Sequence, residues 1–265
     1  GLQAVAGQHM GLAEQAAHAP EATFFLWGGR AFSYKDADER VSNVARGLLA
    51  SGVLPGDRVG VLMGSRPSFL SAVTALSRLG AVPVIAPPEA EGRVLAEAFA
   101  RAGVSRVVSD AERGARCLEA TALPVLVLGG GSGSRSLAPG LVDMEAIDPA
   151  AVAVPAGLAF DAGLAADPAM ILLRPGEGGE LRAATVTNHR WALSAIGAAA
   201  TTTLKPGDTV YCCLPLHHPT AILASVGAAI VGGARLALAD GFDPALLLAD
   251  VRRTGARSEE RRVGK

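Results

Sequence analysis

The sequence predicts an α/β fold of two topologically related lobes, each a largely parallel sheet flanked by helices. Three observations carry that expectation. Short apolar runs alternate with helix-length segments whose apolar residues fall on one stripe, the pattern of parallel strands joined by helical crossovers. The stretch Val-Leu-Pro-Gly-Asp-Arg-Val at residues 53–59 returns as Leu-Lys-Pro-Gly-Asp-Thr-Val at residues 204–210. Each copy is followed by a strand, a helix of small apolar residues, a Gly-Ala turn (Gly80-Ala81 and Gly233-Ala234) and another strand. Chance recurrence of a Pro-Gly-Asp turn would not bring that following pattern with it.

Taken in order, residues 8–18 have helical composition and end before Pro20. Thr23–Trp27 and residues 30–34 flank Gly28 and Gly29, a two-residue hairpin signal. Ser33, with Asp36 three residues on, forms a capping box and opens a helix carrying Ala37, Val41, Val44, Ala45, Leu48 and Leu49 on one stripe. That helix stops near Gly52, and Pro55-Gly56-Asp57 turns into a strand at 58–63. Ser65-Arg66-Pro67 starts a helix running to Leu79 and Gly80, since proline is tolerated in a first turn. Residues 81–86 form a short apolar strand stopped by Pro87 and Pro88. A helix at 91–102, a strand at 106–109, a helix at 111–120 and a strand at 125–128 continue the alternation. The glycine-serine run at 129–133 has no helix start at the distance a phosphate loop needs and reads as a connector. Residues 139–167 are rich in Ala, Pro and Gly without periodicity, as in a linker. Beyond it come a strand at 169–173, a glycine-rich turn, an extended segment at 183–186 and a helix at 188–203. The second Pro-Gly-Asp turn then leads to a strand at 209–214, a helix at 220–231, a strand at 235–239 and a helix at 244–253. The expected organisation is a first lobe at 1–138, a linker at 139–167 and a second lobe at 168–256.

Residues 257–265, RSEERRVGK, carry six charges in nine positions and no apolar face. The codons AGA TCG GAA GAG CGT CGT GTA GGG AAA encode this peptide and look like a common short-read sequencing adaptor. We therefore read the tail as artefactual, the chain as a fragment, and leave the tail out of the fold. The start carries no charged signal-peptide region and no initiating Met, so the true N-terminus is expected upstream.

Composition narrows the function. The chain has 265 residues, 50% of them hydrophobic, and a mean hydropathy of +0.33, ample for a large core. A formal charge of −1 gives no case for non-specific nucleic-acid binding, and 4% aromatics argue against stacking platforms for single strands. Cys117, Cys212 and Cys213 show neither metal-ligand spacing nor a disulfide framework, which fits a reducing cytoplasm. The longest uncharged stretch, 209–234, is interrupted by Pro215, His217, His218 and Pro219, and reads as a buried strand and helix rather than a membrane span.

The chemistry concentrates in residues 172–187, LLRPGEGGELRAATVT. An apolar strand feeds a turn containing Gly176, Gly178 and Gly179, and Arg182 stands just beyond it. Glycines allow the left-handed conformations that aim successive amides at one point, and a basic side chain neutralises phosphate charge. An ordinary hairpin makes the same local pattern, so the stretch takes its meaning from its surroundings.

Those surroundings resemble the large N-terminal domain of the adenylate-forming superfamily, which includes acyl-CoA synthetases, over roughly residues 24–255. The resemblance lies in Phe32-Ser33-Tyr34-Lys35-Asp36, Gly56-Asp57-Arg58-Val59 and Leu79-Gly80-Ala81-Val82. It continues in Asp208-Thr209-Val210-Tyr211 and Leu214-Pro215-Leu216-His217-His218. Arg182-Ala183-Ala184-Thr185-Val186 with Arg190-Trp191 is similar to the long-chain and very-long-chain fatty-acid branch. The resemblance implies a truncated N-terminal domain of the adenylate-forming fold. It implies a fatty-acid substrate, with ATP, Mg²⁺ and CoA as cofactors, a cytoplasmic place and peripheral membrane contact. Such enzymes make an acyl-adenylate and pass the acyl group to CoA. Both reactants are anions, so amides, hydroxyls, a cation and a metal are needed to bring them together.

By the same resemblance Arg174, Gly176, Glu177, Gly178, Gly179 and Arg182 hold the nucleotide phosphates, and Arg182 and His218 are the candidate catalytic residues; no metal ligand is assigned. His218 also reads as a helix-capping histidine before Pro219, and His217 as structural. Cys212 and Cys213 read as small buried residues, and Trp191 and Tyr211 as core or pocket wall. The family loop is rich in Ser and Thr and ends in Lys, whereas this chain has Arg174, Pro175, Glu177 and Gly178, with Arg182 in place of Lys. A carboxylate 4 Å from phosphate costs about 1 kcal/mol in water and about 4 at an effective dielectric near 20. Either Glu177 points outward, pairing with Arg174, or nucleotide binding is weakened. The family's later motifs and its small C-terminal domain do not occur, so this stretch alone is not expected to complete the reaction. The alternative is a catalytically inactive acyl-binding or scaffold lobe of a larger multidomain protein. A dinucleotide-binding oxidoreductase would need a G-x-G-x-x-G after an early strand, which the sequence does not have.

Overall fold

The computed structural model describes residues 8–130, 136–158, 163–239 and 241–256. The charged tail at 257–265 and the part of the glycine-serine connector beyond Gly130 lie outside them. The first half runs α1 (Gln8–His18), β1 (Thr23–Trp27), β2 (Arg30–Ser33), α2 (Tyr34–Ala50), β3 (Arg58–Leu62), α3 (Pro67–Arg78) and β4 (Val82–Ile85). Next come α4 (Gly92–Ala102), β5 (Arg106–Ser109), α5 (Ala111–Thr121), β6 (Val125–Val127) and β7 (Leu141–Asp143). The second half has β8 (Pro168–Pro175), β9 (Leu181–Thr187), α6 (Asn188–Thr201) and β10 (Thr209–Cys212). A π-helical stretch, Thr220–Ser225, runs into α7 (Val226–Gly232), followed by β11 (Arg235–Leu238) and α8 (Pro244–Thr254).

The strands form two sheets, β7-β6-β5-β3-β4-β8-β9 and β10-β11-β1-β2. All pairings are parallel except within the hairpins β1–β2 and β8–β9. This is the mixed, mostly parallel α/β architecture the alternation predicts. Helices α1, α2, α3, α6 and α7 pack between the sheets, α4 and α5 cover the far face of the larger one, and α8 lies on the far side of the smaller. Gly60, mid-strand in β3, permits that outer layer to sit close: a Cβ there would come 2.8 Å from the Phe99 ring on α4.

Sheet membership crosses the lobe boundaries expected from the sequence. Hairpin β1–β2 pairs with β11 of the second half, and hairpin β8–β9 pairs with β4 of the first. Each half thus lends its hairpin to the other half's sheet. Hydrophobic periodicity reports which residues are extended but carries no information about such non-local pairing. Within the expected linker, β7 adds to the edge of the larger sheet and is followed by 3₁₀ turns at Met144–Ala146 and Pro149–Ala151. Three residues are too few to display an alternation.

The internal echo extends to hydrogen bonds. Gly56 and Gly207 both have φ of +86°. Asp57 Oδ2 accepts from the Leu54 amide at 2.9 Å, and Asp208 Oδ2 from the Lys205 amide at 2.9 Å. The following strands begin alike, Val82 N–H donating to Asp57 O and Arg235 N–H to Asp208 O, both at 2.8 Å. Helices α2 and α6 are capped by Ser33 and Thr187, and each hairpin has a register shift at its outer pair. Tyr34 joins the halves: fully buried, its hydroxyl lies 2.8 Å from the Ala234 carbonyl and 3.0 Å from that of Ala229. Burial pushes this phenol well above its ordinary pKa.

The two copies differ where the helix ends. Gly52 after α2 is left-handed at φ +80°, and its counterpart after α6 is Thr203 at φ +48°. A β-branched residue pays a steric penalty in that region which glycine avoids. Thr203→Gly is therefore expected to stabilise the fold by about 1 kcal/mol. Gly52→Thr is expected to cost about 1–2 kcal/mol, its Cβ also meeting Arg106 Nη1 at 3.2 Å. Urea unfolding of the two variants tests this, and a loss of stability in Thr203→Gly would refute it.

Candidate functional site

The carboxyl ends of both sheets open on a cleft of about 910 Å³. Its walls come from the β1–β2 turn, the loops after β3, β4, β10 and β11, and one side of α8. Chain direction sets this position. After β3 the chain passes to the face of the larger sheet that α3 covers, whereas after β4 and β5 it passes to the other face. The loops therefore part at the end of β3, the place where open α/β sheets leave room for ligands.

Polar contacts hold those loops. The buried Asp110, at the end of β5, accepts from the amides of Gly64 at 2.8 Å and Arg113 at 3.1 Å. Arg113 Nη1 is 2.7 Å from the same carboxylate, and Arg66 Nη2 is 3.8 Å away. Ser65 Oγ accepts from the Leu216 amide at 2.9 Å, tying a loop of the larger sheet to one of the smaller. Sequence reasoning missed Asp110 and Arg113. The signal was present: an Asp ending an apolar strand and capping the next helix.

The glycine-rich turn closes hairpin β8–β9. Gly176 N–H donates to Glu180 O at 2.7 Å, and Gly179 N–H to Gly176 O at 3.3 Å. Of the three glycines only Gly179 has positive φ, +80°. Gly176 and Gly178 serve a different need, which is space. A Cβ on Gly176 would lie 2.8 Å from Glu180 Cδ, and one on Gly178 2.7 Å from Glu180 Oε2. The carboxylate folded into the turn is thus that of Glu180, which nothing in the residue pattern singles out, while Glu177 is exposed at the tip. Glu180 also lies 2.6 Å from Arg182 Nε. Its own backbone N–H, then Arg182, hold its carboxyl below the usual carboxylate range, with the Gly178 N–H contributing. Arg174 and Arg182 are direct cross-strand partners, so two guanidinium-bearing residues share one face of the hairpin.

The histidines fall differently from expectation. His217 lines the cleft, whereas His218 and Arg182 do not. His218 Nδ1 accepts from the Thr220 amide at 3.2 Å, and its carbonyl accepts from Ile222 at 3.1 Å, so it caps the π-helical stretch. His217 is half-buried; burial foremost pushes its pKa down, against the opposing charge of Glu89. Tyr211 is on the cleft wall and donates to Asp250 Oδ2 at 3.1 Å; burial foremost pushes its pKa up to about 12. Trp191 is core. Burial raises Cys117 and Cys212 to about 11, so neither supplies a thiolate at neutral pH. Among the described residues no group of three His, Cys, Asp or Glu could hold a metal, and no helix is long and apolar enough to cross a membrane.

Comparison with known proteins gives a consistent family. The family described as AMP-binding enzyme matches residues 12–258. The chain is similar to the medium/long-chain-fatty-acid–CoA ligase FadD6 of Mycobacterium tuberculosis, 29% identical over 233 residues that make up 86% of this chain and 37% of that protein. It is 27% identical to a feruloyl-CoA synthase of an Amycolatopsis species, over 88% of this chain and 44% of that protein. It is also 27% identical to long-chain fatty acid transport protein 2 of Rattus norvegicus, over 92% of this chain and 40% of that protein. The chain therefore spans 37–44% of the length of these relatives. Among solved structures the fold matches apo MbtA of Mycobacterium smegmatis at a TM-score of 0.80 and 22% identity, covering 97% of this chain and 48% of that one. It matches o-succinylbenzoate CoA synthetase of Bacillus subtilis, in complex with ATP and magnesium ion, at 0.73 and 15%, covering 93% of this chain and 61% of that one.

The cleft's histidine gives a pH dependence. A folded-state pKa below the ordinary 6.5 means that the unfolded chain takes up the proton first as pH falls. Stability is then fully present above the ordinary value and is lost as pH falls below it. Urea midpoints should drop between about pH 7.5 and 5.5 in the parent, and less steeply in His217→Gln. Equal slopes in the two proteins would remove His217 as the cause.

Proposed function

This chain belongs to the AMP-binding enzyme family, that is, to the adenylate-forming superfamily, and from that premise we propose that it is part of an ATP-dependent ligase joining a fatty acid to CoA through an acyl-adenylate. One observation carries the reading for this chain's own residues. The turn after β8 already accommodates an anion, the Glu180 carboxylate, against Gly176, Gly178 and Arg182. A concavity of glycine backbone with Arg174 and Arg182 on one face fits a triphosphate once Glu180 swings aside.

Bound ATP supplies the activated phosphorus and CoA the acceptor thiol. The Gly178 amide would position the phosphates, and Gly176 and Gly179 would shape the concavity while their own amides hold the hairpin together. Arg182 would neutralise the phosphate charge, more bidentately than the Lys usual in the family. Glu177, at the exposed tip, leaves the concavity clear. With no three-residue cluster among the described residues, Mg²⁺ would take most of its ligands from phosphate oxygens and water. His218 would act by fixing the start of the π-helical stretch, and the cleft beside His217 and Tyr211 would take the acyl part. The fatty-acid class follows the names of the relatives, and peripheral membrane contact would suit such a substrate. Three free thiols suit the cytoplasm. The lobes at 1–138 and 168–256, joined through 139–167, would act as one unit because their hairpins are exchanged.

A second reading, an acyl-binding or scaffold lobe without adenylation, is favoured by the same Glu180, since a loop filled by its own carboxylate is a poorer phosphate site. Fatty-acid-dependent exchange of pyrophosphate into ATP by the complete protein separates the two. We expect exchange in the parent and a loss of about 10–100-fold in kcat/KM for ATP in Arg182→Ala, with fatty-acid binding unchanged. Absence of exchange with fatty acid still bound would hand the chain to the scaffold reading.

A further inference from the structure

Glu180 does more than neutralise Arg182. Its carboxylate fills the inner side of the turn: Cδ lies 2.8 Å from where a Gly176 Cβ would be, and Oε2 2.7 Å from where a Gly178 Cβ would be. These two glycines are therefore kept free of side chains by a carboxylate, not by backbone conformation, because only Gly179 of the three has positive φ. The same carboxylate takes the guanidinium that a phosphate would need, at 2.6 Å from Arg182 Nε. The Glu180 side chain is 36% exposed, so no packing forbids it to rotate outward. An anion tethered a few bonds from its site acts at a high effective concentration.

Resting on the reading of this turn as a phosphate site, we propose that Glu180 is a built-in competitor. It occupies the amide concavity and Arg182 itself, and a polyphosphate binds by displacing it. Two anions crowd each other in the turn: like charges at about 4 Å repel, and the single charge of Arg182 cannot neutralise both. The ligand class is a linear polyphosphate, whose several charges can outcompete one carboxylate and engage both Arg174 and Arg182. The turn then has two arrangements, closed on Glu180 and open to ligand, and apparent affinity is scaled by the open fraction. Competition of this kind weakens every anion at the turn by the same factor.

The test uses the 265-residue chain with inorganic tripolyphosphate and pyrophosphate as probes, followed through the backbone amide resonances of Gly176, Gly178 and Gly179. Glu180→Gln keeps the size and removes the charge, and Glu180→Ala removes the side chain, so the result does not hang on one variant. If Glu180 fills the turn about nine-tenths of the time, both variants bind both probes roughly tenfold tighter than the parent. The Gly178 amide should also shift on substitution without ligand. Should both variants bind within twofold of the parent while Arg182→Ala weakens binding, the turn is a phosphate site but Glu180 is no competitor, and this proposal fails alone. Should millimolar tripolyphosphate leave the three glycine amides unmoved in every variant, the phosphate reading falls and takes this proposal with it.

Discussion

Neither half of this molecule completes its own sheet, and the rest of the structure depends on that constraint. The outer edge of β4 is satisfied by β8, and that of β11 by β1. Unpaired strand edges inside a packed molecule leave backbone amides and carbonyls without partners, which is costly enough to forbid separation of the halves. Tyr34 sits at the crossing, on the first turn of α2, with its hydroxyl on the carbonyls that end α7. The buried phenol serves both halves at once, so packing and backbone pairing enforce the same arrangement.

The exchange also places the chemistry. Because β8 is held parallel to β4, the glycine turn emerges at the carboxyl end of the larger sheet, the end where the loops after β3 and β5 part. The cleft also opens at the carboxyl ends of the strands, with Asp110 fixing one wall and the Ser65–Leu216 contact fixing the distance to the other. These are directional, charge-assisted or backbone contacts in partly buried ground, where they hold geometry well. The turn itself is the opposite case, an exposed loop whose Glu180 pairs with Arg182 two residues away.

Much of this was legible in the residues. The capping box of Ser33 and Asp36, the Pro-Gly-Asp turns and the alternation of strand and helix are local, and local physics writes them plainly. Cys212 and Cys213 read as buried small residues; Cys212 is buried and its pKa is raised accordingly, whereas Cys213 is half-buried. Hairpin exchange was not legible, because pairing between residues such as Phe25 and Leu236 leaves no trace in periodicity. The strand β7 was too brief to announce itself. At Leu216-His217-His218 the backbone turn decides which imidazole faces the cleft, and adjacent identical residues cannot say. Glu180 escaped notice for a related reason: its sequence marks it as one acid near another, and only the fold of the turn distinguishes it from Glu177.

The doubled architecture makes the two hairpin turns counterparts of one another. One is Gly28 and Gly29, the shortest connection that antiparallel strands allow, and it serves as a wall of the cleft. The other spans residues 176–180, presents backbone amides and two acids, and is flanked by Arg174 and Arg182 on its strands. The Pro-Gly-Asp turns of the two halves are matched down to single hydrogen bonds. Within this pair of repeats, division of labour resides in the length of a turn: three additional residues convert a simple reversal of the chain into a place where charge can be exchanged.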